Sequence, residues 1–217
     1  MQTVTKTSLL LIGALGLAGC DGPAEQFEFA TTFDNFADLQ SISDPDDLVN
    51  DDGSLVDDTK IAQSADFAGV ASGVTSYTGA VSALEENDTT NPDDGRTLIG
   101  QLQLDVAFDT NTMVGHAGNF IFSTGDALTG TLTGNGGFVR DAVENPVDSA
   151  EFDPHFEGIP LIGALSGPNG EAYDATIGLT GYFLNDGSMV DSIAGEAVFD
   201  FGPAGPNFEE GAFAVTD

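Results

Sequence analysis

The chain has 217 residues, with 36 Asp and Glu against four Lys and Arg, a formal net charge of −32. That balance excludes nucleic-acid binding through a basic surface, because phosphate contacts need Lys and Arg, and a single Cys excludes an internal disulfide or a Cys-cluster zinc site. Apolar residues make up 41% of the chain, too many for wholesale disorder despite the acidity.

Residues 1–19 read as a signal peptide. Lys6 marks a basic n-region, residues 8–19 are apolar or small, and the run closes on Leu17-Ala18-Gly19-Cys20. Twelve residues of helix rise about 18 Å, short of a hydrocarbon core of about 30 Å, so a permanent span is not expected. The Leu-Ala-Gly-Cys ending resembles the lipobox of bacterial lipoproteins. That resemblance implies cleavage before Cys20 and acylation of Cys20, which would anchor the chain to a lipid bilayer. The alternative is an ordinary signal peptide followed by a chance Cys. The mature chain would keep all 36 acids and three cations, Lys60, Arg96 and Arg140.

Residues 20–69 read as a tether and an acidic N-terminal extension. Phe33, Phe36 and Leu39 recur at a spacing of three, which suits a short helix or turn. Residues 41–68, rich in Asp and punctuated by Pro45, Asn50 and Gly53, are expected to form an exposed or partly ordered loop. Calcium takes six to eight hard oxygens around a tight turn. Asp46, Asp51, Asp52 and Asp57 are the candidate ligands, with Asp44 and Asp58 beside them. The EF-hand spacing is not met, since Leu48 stands where an acid is needed.

From residue 70 the pattern becomes short alternating runs split by turn residues. Residues 70–84 form the first. Residues 98–108 are the clearest: Leu98, Gly100, Leu102, Leu104, Val106 and Phe108 share one face, with Gln101, Gln103 and Asp105 on the other. Residues 113–122 return with apolar residues in both registers, leaving their faces open. Shorter candidates cover 127–133 and 137–142, followed by a long loop at 141–156. Strands at 159–166 and 173–184 flank the turn signal Gly167-Pro168-Asn169-Gly170, with Ala175, Ile177, Leu179 and Phe183 on one face. The last strand aligns Ile193, Gly195, Ala197, Phe199 and Phe201. Residues 203–217 read as a C-terminal tail.

Eight such strands, each with one apolar face, must close or sandwich to avoid a sticky edge. The expected fold class is all-β. An eight-stranded antiparallel up-and-down barrel with a filled interior spans 70–202 and follows a partly irregular N-terminal extension. A two-sheet sandwich fits the same pattern.

Several runs resemble the barrel of transferrin-binding protein B-like surface lipoproteins. Residues 72–80, Ser-Gly-Val-Thr-Ser-Tyr-Thr-Gly-Ala, are similar to its Gly-x-x-x-Tyr-x-Gly-x-Ala opening. Residues 102–108 with Met113-Val114-Gly115, residues 128–133, and the pair 178–183 and 193–199 resemble later strands. The chain departs at Leu184-Asn185-Asp186-Gly187, where the family carries Gly-Pro-x-Ala, and in having a single Gly195 where it carries two. The resemblance implies a single-barrel, lipid-anchored protein of the outer membrane, at the cell surface or facing the periplasm. It also implies capture of an iron or haem source, or of a protein carrying one. Loops at 87–97, 141–158 and 185–190 would present the binding surface. A structural or adhesive surface lipoprotein and a lipocalin-like periplasmic carrier are the alternatives.

His116, His155 and Tyr173 are candidate haem ligands. Each has a plainer reading: His116 as a strand residue near Val114 and Phe120, and His155 as a surface residue in the long loop. Tyr173, just after a turn, is the freest of the three tyrosines, and Tyr77 is a packing residue. No cofactor is required by any motif, and no nucleophile elbow, His-Glu-x-x-His, P-loop or dinucleotide fingerprint occurs, so an enzyme is not expected.

Overall fold

The computed structural model describes residues 27–31, 33, 35–42, 48–63, 66–70, 73–86, 95–139, 155–185, 190–203 and 205–217. Eight strands form one closed antiparallel barrel in sequential order, with the last strand paired to the first. They are β1 (Val74–Leu84), β2 (Thr97–Ala107), β3 (Thr112–Phe122), β4 (Ala127–Gly137), β5 (His155–Ser166), β6 (Ala172–Asn185), β7 (Val190–Asp200) and β8 (Gly211–Thr216). The barrel is therefore the arrangement the sequence reading favoured, and the sandwich is excluded.

Alternation explains the interior. Leu98, Leu102, Leu104 and Val106 of β2, Ile177, Leu179 and Phe183 of β6, and Ile193 and Ala197 of β7 are all buried in one core cluster. Each fully buried side chain of this size contributes about 1.5–3 kcal/mol. Tyr77 is buried among them, and its hydroxyl donates to the Val190 carbonyl at 3.1 Å.

Two strands differ from their sequence reading for local reasons. In β3, Met113, Gly115 and Ala117 face inward, as do Phe120 and Phe122. The parity switches at Asn119, whose φ of 52° marks a bulge where the β3–β4 register shifts. Both registers carry apolar residues because the strand uses both. Opposite the bulge, Phe120 lies against Gly100, where a Cβ would collide with the ring. In β4, residues 127–137 are one strand that joins the candidate at 127–133 to the start of the one at 137–142, of which 140–142 lie outside the described residues. Val139 makes only an isolated bridge to His155. Gly134 meets the Pro160 carbonyl of β5 so closely that no side chain fits there.

The eighth strand comes instead from the segment read as a tail. Gly211–Thr216 pairs with both β7 and β1 and closes the barrel, with Phe213 and Val215 pointing inward.

The N-terminal extension is more ordered than expected. Its described parts form a strap around the outside of the barrel. Phe27 stacks on His116 of β3. Helix α1 (Phe36–Gln40) is capped by Asn35, whose side chain accepts from the Asp38 amide at 3.0 Å. Leu39 of α1, with Phe33, Phe36 and Ile42, packs on Ala80, Ile99 and Ile121 of β1, β2 and β3. Leu48, Val49, Leu55 and Ile61 pack on Leu184, Ala194 and Ala214 of β6, β7 and β8. The Ala62 amide then donates to the Phe183 carbonyl. Phe67 enters the core beside Phe108 and Phe183, with ring centroids 5.8 Å and 5.5 Å away.

Candidate binding surfaces

Chain direction sorts the strand ends between two rims. The first rim carries the ends of β1, β3, β5 and β7 and the starts of β2, β4, β6 and β8, with 85–86, 95–96, 123–126, 167–171, 201–203 and 205–210 beside them. The second carries the opposite ends, with 108–111 and 138–139 beside them. The strand ends that flank the three loops expected to act together are therefore divided: the end of β1 is at the first rim, and those of β4 and β6 are at the second, while residues 87–94, 141–154 and 186–189 lie outside the described residues. Residues 155–158, assigned to a loop by sequence, begin β5.

The first rim is aromatic and carries one charge cluster. The Arg96 guanidinium donates to both carboxylate oxygens of Glu85, at 2.6 Å and 3.0 Å. It also lies 3.7 Å from Asp126 and 4.1 Å above the Phe122 ring. Tyr173, Phe199, Phe201 and Phe208 complete the cluster, with Tyr173 and Phe201 centroids 6.0 Å apart. Tyr173 is thus half-buried against the core, and Tyr182, on the outer face of β6, is the more exposed tyrosine.

The sequence-selected haem candidates are spread over the molecule. His116 faces outward from the middle of β3, Tyr173 starts β6 at the first rim, and His155 starts β5 at the second. His116 is half-buried, with its ring parallel to Phe27 at 3.7 Å and Nδ1 3.3 Å from Thr133 Oγ1. Burial pushes its imidazole below the usual value, and Asp105 pulls weakly the other way. His155 pairs across strands with Tyr182, their rings 6.3 Å apart, and its Nε2 is 3.8 Å from Glu157. That pairing could not be read from sequence, because the loop before His155 hid the start of β5.

The acidic candidates act locally. Asp52 Oδ1 accepts from the Ser54 amide at 3.0 Å and hydroxyl at 2.6 Å, and Asp57 makes the equivalent pair with Thr59. These bonds hold both carboxyls below their ordinary value. Asp51 is exposed in the same turn. No group of three His, Cys, Asp or Glu suited to a metal ion occurs among the described residues. Cys20 and Asp46 lie outside the described residues, and no described helix is long and apolar enough to cross a membrane.

Among the described residues, the strap approaches β4 only near Thr129–Thr131, beside Phe27, Glu28 and Phe29. Thr129, Thr131, Thr133 and Asn135 face out from β4, and Pro160, Ile162, Ala164 and Ser166 from β5. None of these eight side chains carries a charge, and Ile162 is 59% exposed. By contrast, Gln101 is buried although its alternation points it outward, because the strap covers that part of the wall. Comparison with protein-family models, with curated proteins and with solved structures found no match to this chain.

Proposed function

We propose that the protein is a non-enzymatic binding protein of the bacterial envelope, anchored by lipid on Cys20 and using the barrel as a rigid display scaffold. The observation that carries this reading is the filled interior: Phe, Leu, Ile and Val from all eight strands pack into one core, capped at the second rim by Phe67, Phe108 and Phe138. A core packed in this way favours recognition on the outside over carriage in a lipocalin-like cavity. Among the described residues, the first-rim aromatic cluster and the exposed β4–β5 side chains around Ile162 are surfaces that a partner would meet. Cys20 precedes Phe27 by seven positions, a reach of at most about 25 Å. Acylation would therefore hold the β3 wall near the bilayer.

Fractionation tests the anchor. The full chain should pellet with membranes and extract into detergent, while Cys20→Ser should become soluble; both forms soluble would refute it. Capture of haem or an iron source rests on the family resemblance, with the His155–Tyr182 pair as its local support. Haem titration should shift the Soret band, and His155→Ala with Tyr182→Phe should abolish the shift. No shift in the full chain would favour a structural or adhesive surface lipoprotein.

A further inference from the structure

We infer that a cleft between the strap and the barrel wall is a binding site for one neutral sugar ring. It measures about 250 Å³. Phe33 and Ile42 of the strap form one side; Thr78 of β1, Gln101 and Gln103 of β2 and Thr216 of β8 form the other. None of the described lining residues carries a charge.

The polar side of the cleft is built. Thr216, Thr78 and Gln103 stand opposite one another in register across three adjacent strands. Gln101 is 5% exposed, and its Oε1 accepts from Asn119 Nδ2 at 2.9 Å, the residue at the β3 bulge. That bond fixes the carboxamide, and its Nε2 donors have no partner among the described residues. No fully buried side-chain nitrogen or oxygen there lacks a partner, so Nε2 is not fully enclosed, and Gln101 lines the cleft. Gln103 is fixed the opposite way: its Nε2 donates to Asp105 Oδ1 at 2.9 Å, leaving Oε1 as an acceptor. The wall therefore presents an oriented donor, an oriented acceptor and two hydroxyls able to act as either.

That set selects its ligand by chemistry. A pyranose has an apolar C–H face for Phe33 and Ile42 and a rim of hydroxyls that both donate and accept. Anionic ligands are opposed by the net charge of −32 and meet no described cation in the cleft. The volume suits one ring, either a free monosaccharide or the end of a glycan. This site is independent of the anchor and of the haem reading, since it uses neither Cys20 nor His155.

Saturation-transfer NMR on the full chain tests it with methyl glycosides of glucose, galactose and N-acetylglucosamine, a neutral trisaccharide, and glucuronate as the charged comparison. At least one neutral glycoside should receive saturation, and glucuronate should not. Saturation confined to a terminal ring of the trisaccharide would identify a glycan end as the natural ligand. Gln101→Leu should weaken binding about tenfold through the lost donor. Because that change also frees Asn119, Thr78→Val provides a near-isosteric second variant that should weaken binding while leaving the melting temperature unchanged. No saturation of any neutral glycoside, or equal saturation in folded wild type and both variants, would overturn the assignment. Loss of binding here with the membrane anchor intact separates this failure from failure of the proposed function.

Discussion

His116 is covered by a stacked ring. Phe27 covers it in parallel at 3.7 Å, and the resulting burial favours the neutral imidazole. A base whose folded value is depressed contributes stability above its unfolded value near 6.5 and loses it as pH falls through the lower folded value. Acidification should therefore loosen the Phe27 contact. Proton NMR titration should show the His116 value rising towards normal in Phe27→Ala; an unchanged titration would show that the stack does not desolvate the ring. Tyr77 works at the other end of the pH scale. Burial first, then the carboxylates of Asp217 and Asp191, pushes its phenol above the usual tyrosine range. Its folded value is raised, so its contribution is complete below about pH 10 and is lost above it, as the unfolded chain ionises first, by up to about 1.4 kcal/mol per pH unit. At neutral pH, Tyr77→Phe should cost about 1 kcal/mol through the lost bond to Val190. In urea unfolding the gap between the two proteins should narrow or reverse by about pH 11, and a constant gap would contradict the argument.

Among the elements, the strap does most to change how the barrel meets solvent. Its anchors are single side chains spaced along an acidic segment. Phe67 is the deepest of them, wedged beside Phe108 and Phe183. Phe67→Ala should cost about 3–5 kcal/mol by equilibrium denaturation, the range for emptying a buried aromatic site. A cost below about 1 kcal/mol would mean that the second rim is closed without it. This arrangement also explains which elements were legible. In β2, β6 and β7 the inward faces agree with the sequence pattern residue for residue, although Ile99, Tyr182, Leu184 and Val198 place large side chains on the outer faces. β8 was not legible because its outward Ala212 and Ala214 are small and buried, Ala214 beneath the strap, so no polar alternate marked it as a strand. The strap hid for a related reason: Leu48, Ile61 and Phe67 are isolated apolar residues without a period, and their partners are distant in the chain. The cleft followed the strap into obscurity, since Gln101 and Gln103 read as ordinary solvent-facing positions until α1 was placed over that wall.

At the scale of the whole molecule, charge opposes the barrel that packing builds. The chain carries a net charge of −32, and its described cations, Lys60 and Arg96, neutralise little of it. Arg96 is already committed to Glu85 and Asp126. Carboxylates on the strap and barrel therefore repel across distances that only salt can shorten. The Debye length falls from about 30 Å at 0.01 M to about 3 Å at 1 M, so most of this repulsion should be screened within that range. The unfolded chain spreads the same charges further apart, so screening stabilises the folded state more. The melting temperature should rise by several degrees from 0.01 M to about 0.5 M NaCl and then level off. Potassium chloride should match sodium chloride at equal ionic strength, because screening depends on charge alone. An additional rise in sulfate would report solute exclusion acting on the apolar core instead. A melting temperature indifferent to sodium chloride would mean that the acidic surface costs the fold nothing, and that the acids are spaced widely enough in the native state for their repulsion to match that of the unfolded chain.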